Sequence, residues 1–155
     1  MKIPERSQWV RALTAHPNEK VLAAIDSGNK TWRVIPKAVP QSGLAIIKFQ
    51  DGAFHEPFYL GEIPLATAWV RVITSEGREV EGAAQVMADS AALAETLALC
   101  DAILAHRLSG WRKIADLVRS GLKMRTDQDM VRKAMLAKTQ VDFSLLDAVG
   151  DDDED

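Results

Sequence analysis

The hydrophobic pattern of the chain changes its period near Ala88, and this change limits the folds that the sequence can adopt. Before Ala88, short apolar runs separated by glycine, proline and an Asp-Gly pair indicate β-strands joined by turns. After it, apolar residues step by three or four positions, at Leu93, Leu97, Cys100 and Leu104. Steps of that size place side chains on one face of a helix. We therefore expect strands followed by a long helix whose aliphatic face lies on a sheet.

The remaining elements follow from the same patterns. Strand signals occupy residues 32–35, residues 44–49, a third run that begins at Phe54 and resumes over 69–73, and a fourth near 80–87. Gly61 marks a bend or bulge in the third. Helical spacing occupies residues 5–15, 18–28, 111–121 and 128–140, with Gly121 expected to end the third of these. This order predicts an α+β fold, an antiparallel meander sheet of about four strands flanked by N-terminal and C-terminal helices in two layers.

Length and charge predict one domain with an acidic end. The 155 residues suit a single α+β domain over residues 1–150, and the last five, 151–155, are all acidic and are expected to form a disordered, solvated tail. The net charge is −3, and no basic stripe carries interleaved aromatic residues, which argues against nucleic-acid binding. A lone Cys100, the lack of an apolar run of roughly 18 residues and the lack of a signal peptide predict a cytoplasmic protein without a membrane anchor.

The sequence lacks the usual catalytic motifs. It contains no phosphate-binding G-x-x-x-x-G-K-[ST], no G-x-G-x-x-G and no H-E-x-x-H, and His16, His55 and His106 fall in three different elements. Cys100 lies on the apolar helix face and is expected to act as a small hydrophobic residue, with Asp101 solvated at the edge of that face. We predict no catalytic, cofactor-binding or metal-binding residues, and a domain without its own active site is typical of a subunit of a larger assembly. An independent enzyme would need separated polar groups such as His55, Glu56 and Arg71 to converge.

An apolar segment stands directly before the acidic end of the chain. A terminus that frays gains nothing from a phenylalanine and two leucines, so we expect this segment to dock on its own sheet or on a partner. Fully burying one such side chain is worth roughly 1.5–3 kcal/mol. The candidate residues for a subunit interface are Val141, Asp142, Phe143, Leu145 and Leu146.

Four parts of the chain together resemble one protein family, the G subunit of the bacterial carbon–phosphorus lyase core complex, PhnG. They are residues 8–13 (QWVRAL), residues 58–62 (FYLGE) with 69–72 (WVRV), residues 94–104 (AETLALCDAIL) and residues 141–143 (VDF). They are similar to the family's opening helix, its aromatic–x–Gly–acid strand, its A-E…A-L-x-D-A-L helix and its terminal V-D-F. Order, spacing and total length agree across nearly the whole chain.

The resemblance implies an accessory subunit in phosphonate catabolism. Such a subunit takes part, with the H and I subunits and the L protein, in making α-D-ribose 1-methylphosphonate 5-triphosphate by displacing adenine from ATP with a phosphonate. The resemblance places the nucleosidase chemistry on the I subunit and the iron–sulfur and S-adenosylmethionine chemistry on the J subunit, so no cofactor is expected on this chain. The expected partners are the I subunit first, then H, J and L, and a homodimer is an alternative.

The chain departs from the family pattern at positions that the family fills with arginine and histidine. It has Ala66-Thr67, Leu93 and Gln140 where the resemblance leads us to expect Thr-Arg, a histidine and an arginine. Arginine is suited to phosphate contacts because its fork matches the phosphate oxygens. The departures favour an alternative, a stand-alone interaction or scaffold module that has lost the synthase role. Arg71 and Arg125 remain candidate phosphate contacts.

Overall fold

A computed structural model describes residues 3–26 and 31–139 of the chain. Over these residues the fold is α+β, with a three-stranded antiparallel sheet in the order β1-β2-β3 and helices packed on one of its faces. The strands are β1 (Arg33–Gln50), β2 (Pro57–Ile73) and β3 (Glu79–Val86). The helices are α1 (Trp9–Leu13), which follows a 3₁₀ turn at Arg6–Gln8, α2 (Asn18–Asp26), α3 (Ala91–His106) and α4 (Trp111–Lys138). The fold class predicted from the sequence is confirmed.

Strand β1 joins two segments that the sequence analysis treated as separate strands. It continues through Pro36 and Pro40, and its pairing with β2 shifts register on both sides of Ala38. Because β1 is an edge strand, a proline there can leave its missing N–H on the solvent side. A third shift lies between Ile47, which pairs with Gly61, and Lys48, so the predicted bulge is confirmed. The merging of the two segments reduces about four expected strands to three among the described residues.

The long helix α3 packs on β2 and β3, as its aliphatic face predicts. Ser90 caps it by accepting a hydrogen bond from the Leu93 N–H. Alternate residues of β3 face α3, and at Gly82 the strand backbone meets the helix backbone: a Cβ there would lie 2.2 Å from the Ala98 carbonyl oxygen. The core between the two layers contains mainly aliphatic side chains, among them Val70, Val72, Val80, Leu97, Ile103 and Leu104.

Helix α4 is a single helix, and the prediction that Gly121 ends it is wrong. Gly121 instead lets α4 approach α1 closely, because a Cβ on this residue would lie 2.0 Å from the carbonyl oxygen of Ala12. The helix continues to Lys138, and its last turns are exposed. His16, between α1 and α2, adds a second tie to α4 through the Leu117 carbonyl oxygen at 2.9 Å.

Candidate partner-binding arm

The hairpin of β1 and β2 extends well beyond the rest of the sheet. Strand β3 pairs with β2 only from Ala66 to Ile73, so among the described residues no third strand accompanies the stretch from Gly43, which pairs with Leu65, to the hairpin turn. We call residues 43–65 the arm. None of these residues is buried, which means that no helix or strand of the described chain covers either side of the arm.

Apolar side chains stand on both faces of the arm. Residues paired across an antiparallel ladder point to the same face, so the register assigns each side chain to a face. The Leu44 face carries Leu44, Ile46 and Tyr59, and the Phe49 face carries Ile47, Phe49 and Phe58. All six side chains are exposed, from 37% for Ile47 to 69% for Tyr59. The only ring contact that the described residues make within the arm joins Phe49 and Phe58, with centroids 5.3 Å apart.

The end of the arm is an ordered turn that presents another apolar ring. The Asp51 carboxylate accepts hydrogen bonds from the backbone N–H groups of Ala53 and Phe54, at 3.1 and 2.6 Å. His55 adopts the left-handed conformation, with a φ of 56°, and its carbonyl oxygen accepts from the Gln50 side chain. The Phe54 ring is 83% exposed at the end of this turn. The turn is therefore fixed by its own hydrogen bonds while its phenylalanine projects outward.

These features are unusual for a surface that faces only water. A two-stranded hairpin is at best marginally stable in water, and contiguous exposed apolar patches on soluble proteins mark binding surfaces. The arm is such a hairpin and carries such patches, and no strand of the described chain pairs with the backbone along its outer edges. The arm is the candidate functional site because its side chains have no host within the described chain.

A second exposed apolar surface lies on the last turns of α4. Met130, Val131, Met135 and Leu136 are all more than half exposed there. Methionine adapts its shape to a partner surface more readily than branched residues do. Next to these turns, α1, β3 and α4 border an open groove of about 750 Å³, and Arg125 is one of its lining residues.

Arg71, a predicted phosphate contact, lies on the face of the sheet opposite the helices and is engaged by carboxylates. Its guanidinium is 3.6 Å from Glu79 and 3.7 Å from Glu81. Lys37 donates to Glu81 at 2.7 Å, which lowers the pKa of that carboxyl, and the Lys37 ammonium lies 4.4 Å from the centre of the Trp69 ring. Trp69 also donates to Glu81. Arg71 is thus one member of an exposed ionic cluster at the base of the arm.

Arg125, the other predicted phosphate contact, joins α4 to α1. Its guanidinium donates to the Arg11 carbonyl oxygen and to the Thr14 hydroxyl, each at 3.2 Å. Arg11 in turn pairs with Asp129 of α4. These contacts give Arg125 a structural task, and its phosphate role stays a prediction.

The groups proposed for an independent enzyme are far apart. His55 and Glu56 lie in the turn at the end of the arm, whereas Arg71 lies near the opposite end of β2. His106 contacts the Glu81 carbonyl oxygen at the end of α3.

Within residues 3–26 and 31–139, no three histidine, cysteine, aspartate or glutamate side chains are grouped so as to hold a metal ion. Burial raises the pKa of Cys100 to about 12, so its thiol stays protonated at neutral pH.

The prediction that Asp101 is solvated is wrong. Instead of being solvated, it is buried, and its carboxylate accepts from Arg6 Nε at 2.7 Å, from Arg6 Nη2 at 2.5 Å and from the Ala83 N–H at 3.0 Å. It ties the N-terminal turn to β3. Its position four residues after Leu97 and seven after Ala94, on the buried stripe itself, was the signal that could have revealed this.

The candidate interface residues 141–146 lie outside the residues that the structure describes. Within the described ranges, no helix has both the length and the hydropathy needed to cross a membrane.

Comparison with known proteins gives two findings. The family described as "Phosphonate metabolism protein PhnG" matches residues 4–147, nearly the whole chain. A protein of Rhizobium meliloti (strain 1021), named "Alpha-D-ribose 1-methylphosphonate 5-triphosphate synthase subunit PhnG", is similar to the chain with 29% identity over 145 residues. The similarity covers 91% of this chain and 87% of the relative.

Proposed function

The chain belongs to the PhnG family of phosphonate metabolism proteins, and we propose on that premise that it is a subunit of an α-D-ribose 1-methylphosphonate 5-triphosphate synthase. The name of the Rhizobium relative supports this proposal, since the two chains are similar over most of both their lengths. Identity of 29% makes the chain a divergent member. The sequence analysis reached the same family from its motifs, and that prediction is confirmed.

We infer that this subunit supports the reaction without supplying its reacting groups. The reaction would be the displacement of adenine from ATP by a phosphonate, and the groups that carry it would lie on other subunits. The observation that best supports this division is the arm, because a long, uncovered, apolar hairpin is suited to holding a partner protein. The described polar clusters around Glu81 and Asp101 are engaged in tying elements together.

The proposed partners are the I subunit first, and then the H and J subunits and the L protein. We propose that the arm is the main attachment and that residues 141–146 add to it. Stable interfaces use about 20–30 residues on each side. The arm, residues 43–65, is of that size by itself.

Co-purification with identified subunits tests this proposal. The tagged chain is expressed with the H, I, J and L proteins, and a matched variant lacks the arm. In that variant Ser42 is joined to Ala66 through an Asn-Gly turn, because those two residues already face each other across the ladder. No residue of the buried core is removed.

We expect the full chain to retain the I subunit and the arm-less variant to lose it while keeping the helical signal in its far-UV circular dichroism spectrum and its cooperative unfolding. A full chain that retains none of the four proteins contradicts the proposed function. An arm-less variant that binds as well as the full chain contradicts the role given to the arm.

A further inference from the structure

We propose that the arm inserts between two mainly apolar walls of a partner subunit, so that both of its faces are enclosed. This inference rests on the proposed function and specifies how the chain meets its partner. A hairpin that simply lies on a surface needs only one apolar face and keeps polar side chains on the other. The arm has exposed apolar side chains on both faces.

The two faces of the arm differ in charge, and this difference predicts which groups each wall of the partner carries. Besides its apolar residues, the Leu44 face carries Lys48 and Glu62, each within the ladder. The Phe49 face carries Ala45, Ile63 and the aromatic pair, and it holds no charged residue. The wall that meets the Phe49 face is therefore apolar throughout. The wall that meets the Leu44 face provides an acidic and a basic group to pair with Lys48 and Glu62, because unpaired charges in an interface are costly.

A second copy of the chain fits this surface less well than a different subunit does. Two arms stacked around a two-fold axis would each cover one face of the other and leave the second face in water. Enclosure on both faces needs an apolar cleft, whereas the grooves beside Trp69 and beside Arg125 in the described part of this chain are open and partly polar.

Two neighbouring isoleucines make the test possible. Ile46 and Ile47 have the same side chain, are adjacent in β1 and point to opposite faces. Replacing either by lysine adds one positive charge to one face alone. Ile46→Lys places the ammonium opposite Glu62, whose negative charge offsets the nearby Lys48 on the same face, and Ile47→Lys places it opposite Gly61 on the face without charged residues. Ser75→Lys, in the exposed turn between β2 and β3, adds the same charge away from the arm and is the control.

Binding of each full-length variant to the co-purified remaining subunits is measured by biolayer interferometry, with circular dichroism as the check on folding. Enclosure predicts that Ile46→Lys and Ile47→Lys each weaken binding about tenfold or more, since each loses a buried aliphatic side chain, while Ser75→Lys binds like the unmodified chain.

The outcomes separate the inference from the proposed function. If only one of the two isoleucine variants weakens binding, the arm lies on one flat surface and enclosure is refuted, although the subunit role stands. If the unmodified chain is dimeric and both variants turn it into a monomer without changing subunit binding, the arm pairs with a second copy and the inference fails. If the unmodified chain binds none of the subunits, the proposed function itself fails.

Discussion

Replacing Gly121 by alanine tests the packing of α1 on α4, because two physical effects predict opposite results. Gly121 lies in the middle of α4, where alanine has the higher helix propensity. If propensity decided the result, the substitution would stabilise the protein by about 1 kcal/mol. The structure places a backbone in the path of the new methyl group, so we expect the opposite sign.

The size of the effect follows from the distances. The added Cβ would lie 2.0 Å from the Ala12 carbonyl oxygen and 2.7 Å from its carbonyl carbon. Restoring van der Waals contact requires α1 and α4 to separate by an amount on the order of 1 Å, and backbone cannot rotate away as a side chain can. Overpacking of this kind costs about 3 kcal/mol at the upper end of its usual range. After the gain of about 1 kcal/mol in propensity, a loss of about 2 kcal/mol remains.

Urea unfolding followed by far-UV circular dichroism measures this difference. Gly43→Ala is the matched control, because nothing lies within 4 Å of a Cβ at that position and a strand tolerates alanine better than glycine. We expect the control to unfold at the same urea concentration as the unmodified chain or slightly above it. A Gly121→Ala variant that is as stable as the unmodified chain, or more stable, would refute the close contact between the two helices.

Three further predictions concern other parts of the chain. Asp101→Ala lowers the free energy of unfolding by about 2–3 kcal/mol, since the Ala83 N–H is left unpaired and Arg6 loses its carboxylate; an unchanged urea midpoint contradicts this. Cys100 resists thiol reagents at pH 8 until the protein unfolds, and rapid labelling of the folded chain contradicts its burial. Because burial raises the pKa of Cys100 in the folded chain to about 12, the free energy of unfolding falls as the pH rises above the ordinary thiol value of 9.0. A chain truncated after Lys138 folds but binds the I subunit more weakly, and unchanged binding rules out the contribution of residues 141–146.

The layer formed by α3 and the sheet was predictable because a single periodicity specifies it. The spacing of Leu93, Leu97, Cys100 and Leu104 predicts a helix with one aliphatic face, and that face lies on β2 and β3 in the structure. The same periodicity did not lead to the burial of Asp101, although this residue lies on the same helix. A carboxylate is expected in solvent by residue type, and only its partners Arg6 and Ala83, far away in sequence, make its burial favourable.

The arm and the course of α4 could not be predicted, because both depend on contacts between distant segments. Proline normally ends a strand, and Pro36 is tolerated because β1 is an edge strand of the sheet that the described residues form. Glycine normally weakens a helix, and Gly121 is tolerated because α1 needs the space. The aromatic residues of the arm read as ordinary strand residues in the sequence. Their exposure became visible only when β3 proved to pair with no residue of β2 before Ala66.

Formation of α-D-ribose 1-methylphosphonate 5-triphosphate from ATP and a phosphonate, measured by chromatography, tests the central claim most directly. Three samples are compared at equal concentration: this chain alone, the H, I, J and L proteins without it, and all of them together. The account predicts this product only in the complete mixture, because the chain organises an assembly whose reacting groups lie elsewhere. Robust adenine release by the isolated chain, or full activity in the mixture that lacks it, would contradict the account.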